Sequence, residues 1–309
     1  MRIYKPFFWN RSKNFITLIL LPVSFLVLLF IFLKKIIHKA KKFNIPVVCV
    51  GNIYIGGTGK TPLSIVLADE LKLLGKKPVI IKKFYKKHID EHLLIKKRGT
   101  PLILKKDRSS SIRSAENKFD LAILDDGFQD YKIKKDLNIL CFHSKQLIGN
   151  GFVFPSGPLR ENLGAIKRAQ IVLINGKKNA LFENKLKKYN SELKIFYSKY
   201  KLVNLEKFKN KDILAFAGIG NPENFFVLLI ESGLNLKKSI PYPDHYNFKK
   251  DEILKIIDQA KEKNYTIITT EKDLSRIENF GFSEIYSCNV NLEVENKSHL
   301  INLIKKIYD

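Results

Sequence analysis

Eleven residues constrain this chain more than any others: Gly51-Asn52-Ile53-Tyr54-Ile55-Gly56-Gly57-Thr58-Gly59-Lys60-Thr61. They follow Pro46–Val50, an apolar run that reads as a buried strand. They precede Pro62–Leu74, whose apolar residues recur at helical spacing and which stops at Gly75. Strand, glycine-rich turn and helix form the setting in which a backbone curls its N–H groups around phosphate oxygens. Gly56, Gly57 and Gly59 give the turn its conformational freedom. Thr58 lies inside the curl, Lys60 is placed to reach the β- and γ-phosphates of ATP, and the Thr61 hydroxyl to hold Mg²⁺. The helix N-terminus adds favourable partial charge. The general pattern has Gly five places before Gly59, where this chain carries Tyr54.

Such a unit demands a parallel sheet. Further short apolar runs supply it: Pro78–Ile81, Leu102–Leu104, Leu121–Leu124, Ile139–Phe142 and Ile171–Ile174, with helical stretches such as Arg108–Asn117 between them. Near-continuous apolar strands alternating with helices indicate a sheet covered on both faces. The expected fold class is therefore α/β, a P-loop NTPase-like domain. From 177 to 211 the chain is rich in Lys, Asn and Glu, and a linker is expected there. A smaller α/β unit follows, with strands Ile213–Ala217, Thr266–Thr269 and Ile285–Cys288, a turn at Gly218–Pro222, a helix ending near Gly233, a helix near 251–261 and a C-terminal helix. The expected organisation is 1–42 anchor and basic flanks, 43–176 phosphate-loop domain, 177–211 junction and 212–309 second domain.

The run Leu121-Ala122-Ile123-Leu124 ends in Asp125-Asp126. A carboxylate at such a strand tip can hold the Mg²⁺ of a phosphate-loop enzyme. Side chains of adjacent strand residues alternate in direction, so one acid is expected to face the metal and the other to act through water or order Gly127-Phe128-Gln129.

Phe15–Leu33 carries no charge, and all but Thr17, Pro22 and Ser24 are large and apolar. A helix of that length spans roughly 28 Å, about the hydrocarbon thickness of a bilayer. Lys and Arg flank it on both sides, so charge alone leaves its orientation open. A single N-terminal anchor is expected. A cleaved signal peptide fits poorly, because the stretch is long and no small-residue cleavage site follows.

The formal net charge of +25 is spread along the whole chain. Without a base-reading motif it does not argue for nucleic acid, although it favours an anionic membrane surface. Cys49, Cys141 and Cys288 fit no metal spacing and are expected to be buried thiols. No protein partner is indicated.

These residues together resemble the tetraacyldisaccharide 4′-kinase family. The matching stretches are Val50-Gly51-Asn52 with Gly56–Pro62, Asp125–Gln129, Gly149-Asn150-Gly151 and Pro155–Glu161. In the second unit they are Ala217–Pro222, Pro243-Asp244-His245 and Thr270-Glu271-Lys272-Asp273. The family's loop also lacks the first general Gly, so Tyr54 conforms. The resemblance implies two α/β/α domains and transfer of the ATP γ-phosphate to the 4′-hydroxyl of a tetraacylated glucosamine disaccharide 1-phosphate, giving lipid IVA. It implies a catalytic body on the cytoplasmic side of the bacterial inner membrane. It also implies catalytic roles for Asp90 and His245, and site roles for Arg160, Glu161 and Gln129. Two departures stand out: Lys82-Lys83-Phe84-Tyr85 lies where the family has Ser-Arg-Gly-Tyr, and only Lys86–Ile89 separates Tyr85 from Asp90. A membrane-tethered P-loop NTPase acting as a switch is the alternative; it would account for Lys60, Thr61 and Asp125, but not for Arg160-Glu161 or His245.

Overall fold

The computed structural model describes residues 6–11, 14–85, 89–203, 205–244 and 246–308, with 89–91 by their backbone. The chain divides into two compact units. The first comprises Met1–Phe84, Gly99–Lys199 and Val294–Asp309; the second comprises Tyr85–Arg98 and Tyr200–Glu293.

The first unit opens with α1 (Phe15–Ile37), capped by the Asn14 side chain, which accepts from Ile16 N–H. Then come β1 (Val47–Gly51), α2 (Lys60–Leu73) and β2 (Pro78–Lys83). After α3 (Ile89–Lys97), which belongs to the second unit, it resumes with β3 (Leu102–Lys105), α4 (Arg108–Ala115), β4 (Leu121–Asp125), β5 (Leu137–His143), β6 (Ile171–Asn175), α5 (Ala180–Lys187) and the first part, to Lys199, of β7 (Lys194–Val203). The strand order is β3-β2-β4-β1-β5-β6-β7, with every pair parallel. All residues of β1, β4 and β6 are buried, the pattern of strands covered on both faces. Strand β1 lies centrally, with β4 on one side and β5 on the other, so the loop leaving it opens where the strand order reverses. That is the usual ligand crevice of an open α/β sheet.

Helix α1 inverts the usual pattern. Thr17 and Ser24 are its buried residues, whereas Phe15, Phe25, Phe30, Phe32 and Ile37 are exposed. It has 23 residues, and its most apolar 18-residue stretch has a mean hydropathy of 3.0, so it is long and apolar enough to cross a membrane. Polar residues turned inward and apolar ones outward fit a helix whose outer face meets lipid. Ser24 Oγ donates its one proton to Val153 O at 2.8 Å, lies 2.8 Å from the Ser156 hydroxyl and accepts from Ser156 N–H at 3.0 Å. Trp9 is buried just upstream and donates Nε1–H to Pro155 O. The loop Gly149–Leu159 is thus held against the N-terminal segment. A Cβ at Gly157 would meet Asn150 Oδ1 at 2.2 Å, and Asn150 itself donates to Phe8 O and Ser156 O.

The second unit has β8 (Asp212–Ala217), α6 (Pro222–Glu231), β9 (Asn235–Pro241), α7 (Lys250–Glu262), β10 (Thr266–Thr270), α8 (Glu271–Ile277) and β11 (Ile285–Val294). Its parallel order is β11-β10-β8-β9. Asp273 is fully buried, accepts from Gly218 N–H and Thr270 Oγ1, and pairs with Arg276, so Thr270–Asp273 builds the turn after β8.

Two expectations about organisation change. The stretch 177–211, expected as a junction, contains α5 and β7, with Phe182 and Leu186 packed into the core and β7 paired to β6. The C-terminal helix α9 (Lys297–Lys305), expected in the second domain, belongs to the first unit, while Tyr85–Arg98 belongs to the second. Chain order does not reveal such returns. Strand β9 was not anticipated.

Candidate active site

The loop after β1 is shaped by two left-handed glycines, Gly56 at φ 129° and Gly59 at φ 90°, the latter being the N-cap of α2. Gly57, between them, has open space where a Cβ would project. Asn52, fully buried, spans the curl: its amide donates to Gly56 O at 3.2 Å and to Thr58 Oγ1 at 3.0 Å. The outer edge is tied to the Pro158–Arg160 segment by Ile55 N–H to Pro158 O and Arg160 N–H to Ile53 O. Gly51 has no room for a side chain, since a Cβ there would lie 2.4 Å from Phe128 Cβ.

The first turn of α2 then meets the tip of β4. The β1–β4 register sets Val50 beside Asp125. Thr61 Oγ1 donates to Asp125 Oδ2 at 2.7 Å. Asp125 is fully buried, and its Oδ1 has no hydrogen-bond partner among the described residues. An orphaned carboxylate oxygen beside a threonine hydroxyl is the hard-oxygen donor set that Mg²⁺ takes. No cluster of three or more metal-ligating side chains exists among the described residues.

Asp126 sits just past β4 in a left-handed conformation, φ 59°. The reversal aims it away from Asp125 and towards cations: Arg160 Nη1 at 2.8 Å and Lys60 Nζ at 3.6 Å, while Arg108 Nη2 donates to its main-chain oxygen at 2.7 Å. Burial alone would raise its carboxyl, but Lys60, Arg160 and Arg108 outweigh burial and hold it at about 2. Lys60 and Arg160, read separately from sequence, therefore converge on one acid.

Gln129 and Glu161 form the adjoining brace. Gln129 Nε2 donates to Asn52 O at 2.9 Å and to Glu161 Oε1 at 3.1 Å. Glu161 is buried and pairs with Arg168 at 2.6 Å and with Lys35, at the end of α1, at 3.1 Å. Burial pushes its carboxyl up, but the Arg168 guanidinium, the neighbouring Tyr131 hydroxyl and Lys35 together bring it below the usual glutamate range. Its side chain thus joins the membrane-type helix to the phosphate loop.

The structure brings Gly56, Gly57, Thr58, Gly59, Lys60, Thr61, Asp125, Asp126, Gln129, Arg160 and Glu161 together within the first unit. Asp90 lies on α3, with only its backbone described, and His245 lies outside the described residues. Sequence reasoning missed Lys82, Arg108, Arg168 and Lys35. Lys82 stands out only as a departure from the family's Ser-Arg-Gly-Tyr, and nothing distinguishes the other three in a chain with 55 Lys and Arg; strand register and helix packing bring all four in.

With this geometry in view, the relatives are consistent. Residues 16–309 match the model of the LpxK family, tetraacyldisaccharide-1-P 4′-kinase. A tetraacyldisaccharide 4′-kinase from Pelagibacter ubique is 39% identical over 99% of both chains, and one from Rickettsia bellii is 32% identical over 99% of both. The solved structure of LpxK from Aquifex aeolicus in complex with ATP superposes with a TM-score of 0.75 at 27% identity, covering 95% of this chain and 99% of that one. A phosphate loop, a strand-tip acid pair and full-length similarity agree: this chain belongs to the tetraacyldisaccharide-1-phosphate 4′-kinase family.

Proposed function

We propose that this protein transfers the γ-phosphoryl group of ATP to the 4′-hydroxyl of a tetraacylated glucosamine disaccharide 1-phosphate, giving lipid IVA, a step of lipid A biosynthesis. The convergence of Lys60 and Arg160 on Asp126, beside the glycine-curled loop, carries the reading. In phosphoryl transfer, catalysis is mainly positioning and charge stabilisation. The N–H groups of Gly56–Gly59 would cradle the phosphates, Lys60 would meet the β- and γ-oxygens, and Arg160, held beside Lys60 by Asp126, would add a second positive charge for phosphate oxygens. Thr61 and Asp125 would hold Mg²⁺, which neutralises phosphate charge when bound. Gln129 and Glu161 hold this loop in place.

A sugar hydroxyl has a high pKa, so a positioned base helps it attack. The family resemblance assigns that work to Asp90 with His245. Acyl chains keep the acceptor in the bilayer, which gives α1 its purpose: it anchors the body at the inner membrane, with the ATP-using units on the cytoplasmic side.

Thin-layer analysis of purified protein with γ-labelled ATP and the disaccharide lipid tests this. Label moving into a lipid-mobility spot supports the reading. ATP hydrolysis with no labelled lipid would replace it with a membrane-tethered NTPase switch.

A further inference from the structure

Lys82 stands at the metal position with a charge of its own. It lies on β2, one residue past the Ile81–Leu124 pair, so the register delivers it to the level of Asp125. Its Nζ donates to Asp125 Oδ2 at 2.5 Å and to Thr61 Oγ1 at 3.1 Å, and the residue is only 7% exposed. The hydroxyl proton of Thr61 already goes to Asp125. Lys82 therefore occupies one of the two lone pairs through which Thr61 can bind a hard cation. One carboxylate is thus neutralised by a resident ammonium, while its other oxygen, Oδ1, has no partner among the described residues. A dication arriving here alone meets an ammonium fixed on the same oxygens. A dication arriving with the phosphates of a nucleotide brings the anionic charge that offsets both.

We propose that Lys82 competes with Mg²⁺ for Thr61 and Asp125, so that the protein takes up Mg²⁺ only together with nucleotide phosphates. This rests on reading Thr61 and Asp125 as the metal position. Lys82 acts as a positioning residue: without nucleotide it keeps the threonine hydroxyl and the carboxylate in register, and it sets the order in which metal and nucleotide bind.

The test is calorimetric titration of MgCl₂ into the full-length, detergent-solubilised protein without nucleotide. Lys82→Met removes the charge at similar length, and Lys82→Gln keeps a neutral donor should the methionine variant fail to fold. The folded neutral variant is expected to bind Mg²⁺ at least tenfold tighter than the wild type, and adding Asp125→Asn should abolish the gain. Equal Mg²⁺ affinity in the wild type and the neutral variant overturns the proposal, as does a gain that survives Asp125→Asn. Titrating ATP into Asp125→Asn with and without MgCl₂ separates the two layers. If Mg²⁺ strengthens ATP binding in Asp125→Asn as much as in the wild type, the metal reading itself fails, and the proposal with it. If that strengthening is lost while the neutral Lys82 variant titrates like the wild type, only the role of Lys82 is wrong.

Discussion

Replacing Glu161 by Gln keeps shape and removes one buried charge, which makes it a sharp test of the brace between α1 and the phosphate loop. Two unit charges at 3.1 Å, the Lys35–Glu161 separation, attract by about 5 kcal/mol at an effective dielectric near 20. The Lys35 side chain is 37% exposed, however, and water recovers most of that, leaving about 1 kcal/mol. Arg168 is more confined. It bonds Glu161 at 2.6 Å and its guanidinium lies 4.1 Å from the Phe128 ring centroid and 5.1 Å from that of Tyr131. A charge-assisted bond held in that way contributes about 1.5–3 kcal/mol. Glu161→Gln is therefore expected to destabilise the first unit by about 2–4 kcal/mol at pH 7. Urea denaturation reads this directly, because the chain's single tryptophan, Trp9, is buried in that unit. The folded carboxyl titrates below its usual 4.5. The stabilisation is thus fully present above the unfolded value and is lost as pH falls through 4.5 towards the folded one. The gap between wild type and variant should narrow on acidification. A difference under about 0.5 kcal/mol at pH 7, the size expected for an ordinary surface change, would refute the reasoning, as would a gap unchanged down to pH 4.

Three further outcomes are expected. Lys60→Ala should lower kcat by about 10²–10³ through lost charge stabilisation; near-normal turnover in a steady-state assay would remove Lys60 from the reaction. Asp90→Ala and His245→Ala should each slow transfer at saturating ATP while leaving ATP affinity intact, measured by equilibrium binding beside turnover; either variant with full rate loses its catalytic role. Ser24→Ala deletes the contacts of α1 with Val153 and Ser156 and leaves their buried partners unpaired, so it should cost about 1–3 kcal/mol in the same urea assay, and an unchanged midpoint would show that α1 is not held there.

Much of the first unit was legible because its strands are buried on both faces. Val47–Val50, Leu121–Leu124 and Ile171–Ile174 stand out as apolar runs without any need for periodicity. Strand β7 escaped notice because Lys194, Lys199 and Lys201 interleave with its buried Phe196, Tyr197 and Leu202, so it reads as another polar Lys-rich stretch. Strand β9 alternates exposed and half-buried residues and offers no apolar run at all. In the site, the phosphate loop was readable because its geometry is local: glycines, lysine and threonine at fixed offsets on a strand–helix turn. Asp125 and Asp126 were readable as a pair, and the left-handed φ of Asp126 explains why they face different partners. Arg108, Arg168, Lys35 and Lys82 are delivered by register and packing over long sequence separations; Lys82 shows only as a departure from the family's Ser-Arg-Gly-Tyr, and no local pattern marks the others.

The central claim concerns where the phosphoryl group goes. Phosphorus–proton correlation spectroscopy on the isolated lipid product reads that position directly. The account predicts a new phosphorus signal coupled to H-4′ of the distal glucosamine, with the 1-phosphate unchanged. A phosphate on another hydroxyl, or an acceptor that stays unmodified while inorganic phosphate accumulates, would contradict it.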